Sequence, residues 1–140
     1  MTSNLLNNTL PTFLNLHNLS IGYHTGKKER IVQSNLNLTA SQGELIALIG
    51  RNGCGKSTLL RSMASLQPIF DGKIKISGED INQISPKKRA RLISVVLTDQ
   101  RAEASFNAKE LISIGRDPYT GWLGSFTQED EDITCKAIEM

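Results

Sequence analysis

The residues best suited to chemistry lie together: Gly50, Arg51, Asn52, Gly53, Cys54, Gly55, Lys56, Ser57 and Thr58. Their spacing fits G-x-x-x-x-G-K-[ST], the pattern of a phosphate-binding loop. A triphosphate is crowded with negative charge, so the backbone must approach it with bare N–H groups. Glycine permits the positive-φ turns this requires and removes the Cβ that would collide. The N–H groups of residues 53–58 are expected to form a nest for a β-phosphate. A helix starting near Lys56 would add its positive end. Lys56 would bring a mobile charge to the β- and γ-phosphates, Ser57 a hydroxyl to Mg²⁺, and Thr58 a contact to the α-phosphate. A glycine-rich turn without a ligand is the plain alternative. For Cys54, a small residue that fits the loop is a simpler reading than a redox sensor.

The pattern requires a buried strand before it and a helix after it. Residues 44–49 form an apolar run between Gly43 and Gly50 and read as a strand buried on both faces. Residues 57–66 place Leu59, Leu60, Met63, Ala64 and Leu66 at helical spacing. Upstream, residues 13–23 and 31–39 alternate as strands, with a turn at 24–30. Downstream, 73–77 and 93–97 read as strands. Ser85-Pro86 starts a helix. Asn107 and Glu110 form a capping box for a helix over 108–114. Thr127 and Asp130 open a last helix running to Met140.

The chain has 140 residues, 39% hydrophobic and 21% charged, an ordinary globular balance. A net charge of +2 is too small to argue for a nucleic-acid partner, 5% aromatics weaken any picture of stacked bases, and no nucleic acid is expected. Cys54 and Cys135 lack metal-binding spacing and read as free thiols in a reducing compartment. Residues 1–11 are polar and Asn-rich and read as a disordered tail rather than a signal peptide. No run approaches the ~18 apolar residues of a membrane span, so a cytoplasmic protein is expected, with any membrane link made through a partner. The basic run Lys87, Lys88, Arg89 and Arg91 reads as the solvated face of a short helix rather than a nucleic-acid site. His17 and His24 have no ligand partners at useful spacing.

The spelling Gly-Arg-Asn-Gly-Cys-Gly-Lys-Ser-Thr at 50–58 resembles the ATP-binding subunit of ABC transporters, and the likeness runs from about Phe13 to the end. The resemblance implies an α/β fold: the P-loop NTPase core of an ABC ATPase, with an N-terminal antiparallel β subdomain and the start of a helical subdomain. It implies a β subdomain over 12–43, a P-loop core over 44–98 and the start of the helical lobe over 99–140. The cofactors implied are ATP and Mg. Tyr23, in Leu-Ser-Ile-Gly-Tyr, takes the place of the aromatic residue that stacks on adenine. The segments 71–78, 85–91 and 109–124 are similar to importers of the iron-siderophore, haem and cobalamin type. Tyr119, Trp122, Leu123 and Phe126 then lie in the helical lobe, where contact with the membrane subunit and plain core packing are both open.

The family has a glutamine after the strand at 93–97, sensing the γ-phosphate and Mg²⁺. An ungapped count places it at Thr98, and the nearest glutamine is Gln100. The role falls to Gln100 if the loop is shifted and to Thr98 otherwise. The family's L-S-G-G-Q-like signature, the strand ending in Asp-Glu and the switch histidine do not occur within these residues. The resemblance therefore implies a partial ATPase domain, able to hold ATP but not to hydrolyse it efficiently on its own. It also implies that the run at 44–49 lacks a sheet neighbour, which would make the isolated piece aggregation-prone. The implied partners are an integral membrane subunit and a second ATPase copy, with residence on the inner face of the cell membrane. Two other readings remain: an ATPase of the DNA-repair or chromosome-structure type, against which the absence of heptads speaks, and a non-hydrolysing ATP-binding or regulatory fragment.

Overall fold

The computed structural model describes residues 11–26, 28–96, 106–121 and 125–140. The expectations for residues 1–10, Leu97, Thr98, Gln100, Trp122, Leu123 and Gly124 lie outside them. The chain divides into two compact units, Met1–Ser85 and Pro86–Met140.

The first unit is built on two long antiparallel strands, β1 (Thr12–Thr25) and β2 (Lys28–Ser41). Strand β3 (Asp71–Ile76) and the short β4 (Glu79–Asp80) complete an antiparallel sheet of order β2-β1-β3-β4. β1 outruns its expected bounds because pairing with β2 continues to Thr25↔Lys28.

The alternation of β1 changes phase in mid-strand, and the register explains how. Leu14 and Leu16 occupy even positions, whereas the buried Leu19 and Ile21 occupy odd ones. A register shift falls between Leu16 and Leu19, and Asn18 there has φ +46°. One residue out of register resets which face a side chain takes. Asn37 on β2 pins this bulge: its Oδ1 accepts from the Asn18 N–H at 3.0 Å, and its Nδ2 donates to the Asn18 Oδ1 at 3.2 Å. The core is then Leu16, Leu19 and Ile21 from β1, Ile74 and Ile76 from β3, and Ile81 and Ile84 beyond β4.

Helix α1 (Lys56–Met63) ends earlier than the apolar spacing predicts. Ser65 takes φ +58°, its N–H donates to Ser62, and the Leu66 N–H donates back to Arg61 at 2.9 Å. This Schellman closure satisfies the last carbonyls and stops the helix, leaving Leu66 outside it.

Of the strands expected at 44–49 and 93–97, none is formed by the described residues 44–49 and 93–96. Residues 44–49 and 93–96 pair with no strand among the described residues. Leu45 is 97% exposed, Ile49 93% and Val96 91%. The physical reason lies in the backbone. An apolar run becomes a strand only when a neighbour supplies N–H and C=O partners. Every strand pair described here lies within the β2-β1-β3-β4 sheet.

The second unit is helical: α2 (Pro86–Leu92), α3 (Ala108–Ser113) with a 3₁₀ turn Ile114–Arg116, and α4 (Gln128–Glu139). Both capping boxes form, Asn107 with Glu110 and Thr127 with Asp130. Two members of the basic run hold the turn at 117–120. Lys87 Nζ donates to the Thr120 carbonyl at 2.9 Å, and Arg91 Nε to the Pro118 carbonyl at 2.9 Å. Tyr119 is faced by the guanidinium groups of Arg91 and Arg116, at 5.0 and 4.3 Å from its ring centroid. The run is therefore more than a solvated face: part of it anchors the segment Gly115-Arg-Asp-Pro-Tyr119.

Candidate functional site

Residues 50–55 leave the exposed run 44–49 and turn into α1. Gly53 has φ +82° and Gly55 φ +101°, conformations that side chains rarely adopt. Gly55 is also the N-cap of α1, and no side chain caps the first N–H groups of the helix. A Cβ at Gly55 would lie 2.8 Å from Val32 Cγ1 and 3.3 Å from Gln33 Cγ. Glycine there serves both the turn and the close approach of β2.

Lys56 folds back across the loop. Its Nζ donates to the carbonyls of Gly50 at 2.7 Å and Arg51 at 2.9 Å, and lies 3.9 Å from Cys54 Sγ. A Cβ at Gly50 would come within 2.9 Å of that sulfur. Cys54 is half-buried inside the loop and free, while Cys135 is exposed and free. Ser57 is exposed on the first turn of α1, and Thr58 beside it is half-buried.

The donor set suits a polyphosphate. Backbone N–H groups at a helix start, a flexible ammonium and a hydroxyl converge on one short loop. The Lys56 ammonium spends its donors on two main-chain carbonyls, weaker partners than an anionic oxygen. An arriving phosphate would outbid them. Ser57 sets an exposed hydroxyl beside it on the first turn of α1.

Tyr23 lies near the end of β1, opposite Arg30 of β2, and is 40% exposed. The Arg30 guanidinium stands 5.6 Å from its ring centroid, a cation–π contact on one side of the ring. The backbone here is held from below: Gln67 Nε2 donates to the Gly22 carbonyl, and Phe70 meets His24 edge-on at 5.2 Å. Ile21, two residues before Tyr23, pairs with Gln33, whose Nε2 donates to the Cys54 carbonyl at 3.0 Å. The tyrosine and the phosphate loop are thus joined through β2. Val32 and Gln33 carry no motif, and strand alternation alone gives no sign that they meet the loop. Among the described residues no cluster of histidine, cysteine or carboxylate side chains could hold a metal, and His17 and His24 belong to none. No helix among them is long and apolar enough to cross a membrane.

The family model for ABC transporters matches residues 33–138, which include the whole loop and α1. The chain belongs to that family. Three curated ABC relatives illustrate the likeness. The probable siderophore transport system ATP-binding protein of Bacillus subtilis is 35% identical over 121 residues, 86% of this chain and 42% of that protein. The achromobactin transport ATP-binding protein of Dickeya dadantii is 34% identical over 127 residues, 91% and 46%. The ferric enterobactin transport ATP-binding protein of Escherichia coli is 34% identical over 121 residues, 86% and 43%. The chain spans less than half the length of these relatives. Among solved structures, an ATP-binding cassette in a dimeric post-hydrolysis state with ADP and phosphate superposes with a TM-score of 0.73 at 21% identity, over 90% of this chain and 56% of that one. The described residues are thus a partial ABC ATPase, the N-terminal region of that fold, with its antiparallel sheet and helices.

Proposed function

We propose that this ABC chain binds ATP with Mg²⁺ at 50–58 and energises the import of an iron-siderophore through an integral membrane partner. Gly50, Asn52, Gly53, Cys54, Gly55, Lys56, Ser57 and Thr58 hold the phosphates, with Ser57 on the metal, and Tyr23 stacks on the adenine. The observation that carries this reading is the loop itself: positive-φ glycines opening onto the start of α1, with Lys56 laid across them. The siderophore is favoured over haem or cobalamin because curated relatives at about a third identity carry siderophore names. Hydrolysis belongs to an assembled pair of complete ATPase subunits, in which Thr98 or Gln100 senses the γ-phosphate. The working place of such a pair is the inner face of the cell membrane.

Uptake of an iron-loaded siderophore by cells carrying the Lys56→Ala protein tests the reading. Loss of uptake with normal protein levels is expected. Uptake at the wild-type rate would exclude a role for this loop in transport.

A further inference from the structure

Strand β2 touches the phosphate loop twice. Val32 and Gln33 crowd Gly55 so closely that a Cβ there would lie 2.8 Å from one and 3.3 Å from the other. Gln33 Nε2 also donates to the carbonyl of Cys54 at 3.0 Å, across 21 residues of sequence. That bond acts on a specific peptide unit. The Cys54–Gly55 peptide is planar, and in a trans peptide the C=O and N–H point in opposite directions. Holding the Cys54 carbonyl toward β2 therefore holds the Gly55 N–H away from β2. Gly55 has φ +101°, in a region where glycine has wide freedom. Without an outside partner this peptide would be free to rotate. The neighbouring support is local: Cys54 N–H donates to Arg51 at 3.3 Å, and Lys56 reaches Gly50 and Arg51 rather than Cys54 oxygen.

We infer that Gln33 is a positioning residue of the nucleotide site, fixing the Cys54–Gly55 peptide so that the Gly55 N–H is presented to a phosphate. The inference rests on the nucleotide reading of the loop. It also gives β2 a second duty. Gln33 pairs with Ile21, and Arg30 on the same strand pairs with Tyr23. One strand thus sets both the aromatic ring at the base end and the peptide at the phosphate end. A shift of β2 along its own axis would move both at once.

The test uses equilibrium binding of Mg-ATP and Mg-ADP to the native protein and three variants. Gln33→Met keeps length and removes the donor, Gln33→Lys restores a donor, and Lys56→Ala reports on the loop itself. Gln33→Met is expected to weaken both nucleotides about threefold to tenfold, the scale of one lost hydrogen bond. Gln33→Lys is expected to recover most of that loss. The ligand-free melting temperature of Gln33→Met is expected to match wild type, since Gln33 is exposed. Wild-type affinity in Gln33→Met overturns the inference and leaves the nucleotide reading intact, provided Lys56→Ala still loses binding. A fall in ligand-free melting temperature that accounts for the weaker binding also overturns it, because the role is then merely structural. Equal binding by wild type and Lys56→Ala overturns the nucleotide reading, and this inference with it.

Discussion

Arg116 and Asp130 meet at 2.8 Å, Nη2 to Oδ1, and the same carboxylate closes the cap of α4 by accepting from Thr127. The Arg116 side chain is 18% exposed and that of Asp130 5%. One acid therefore ties the segment after α3 to the start of the last helix. The Thr127 hydroxyl and then the Thr127 N–H hold its carboxyl below the usual carboxylate range, with Arg116 adding to the effect. A carboxyl depressed in the folded state stabilises fully above its unfolded value of 3.8 and ceases to do so as the pH falls through the folded value. Helicity followed by circular dichroism is expected to hold at neutral pH and to fall in acid below about pH 4. Asp130→Asn is expected to lower the neutral-pH melting temperature and to flatten that acid step. An unchanged acid profile in the variant would remove Asp130 from the account.

The core of the first unit sets a second expectation. Leu19 is fully buried where β1 resumes after its bulge. Leu19→Ala is expected to cost about 2–5 kcal/mol in urea unfolding. Leu45→Ala, at a side chain 97% exposed, is expected to change stability by less than ~0.5 kcal/mol. Comparable losses at the two positions would mean that the run at 44–49 is packed in solution.

The exposed apolar runs carry their own consequence. Leu45, Ile49 and Val96 present unpaired, water-facing strand-forming sequence. Exposed strand-forming apolar runs promote association. The 140-residue chain is expected to bind an apolar dye and to self-associate at rising concentration. The double substitution Leu45→Lys with Ile49→Lys is expected to reduce both. Sedimentation that shows a dye-silent monomer before substitution would contradict this.

Tyr23 offers an expectation about the base. One face of its ring is engaged by Arg30, and stacking on a base is worth about 1–3 kcal/mol. Tyr23→Ala is expected to weaken ATP by about tenfold and to leave the affinity for tripolyphosphate unchanged, while Tyr23→Phe stays near wild type. Equal weakening of ATP and tripolyphosphate would place the effect on the loop and not on the base.

Much of this was legible in the sequence. The loop at 50–58 declares itself because its chemistry needs glycine, lysine and serine at fixed spacing. The capping boxes at Asn107 and Thr127 are local signals, and both form as spelled. The runs at 44–49 and 93–96 form no strand because strand formation depends on a neighbour, which an apolar pattern does not contain. α1 stopped early because Ser65 adopted a left-handed turn more often given to glycine. Gln33 was invisible for a different reason. Its importance arises from a contact 21 residues away, and nothing in the alternation of β2 marks it.

The most direct test of the central claim is equilibrium binding of a fluorescent ATP analogue with Mg²⁺ to the native protein and to Lys56→Ala. The account expects saturable binding by the native protein, displaced by unlabelled ATP, and a loss of roughly 10-fold to 100-fold in the variant, the scale of a lost hydrogen bond to a charged group. Binding of equal strength in both proteins would contradict the assignment of 50–58 as the nucleotide site.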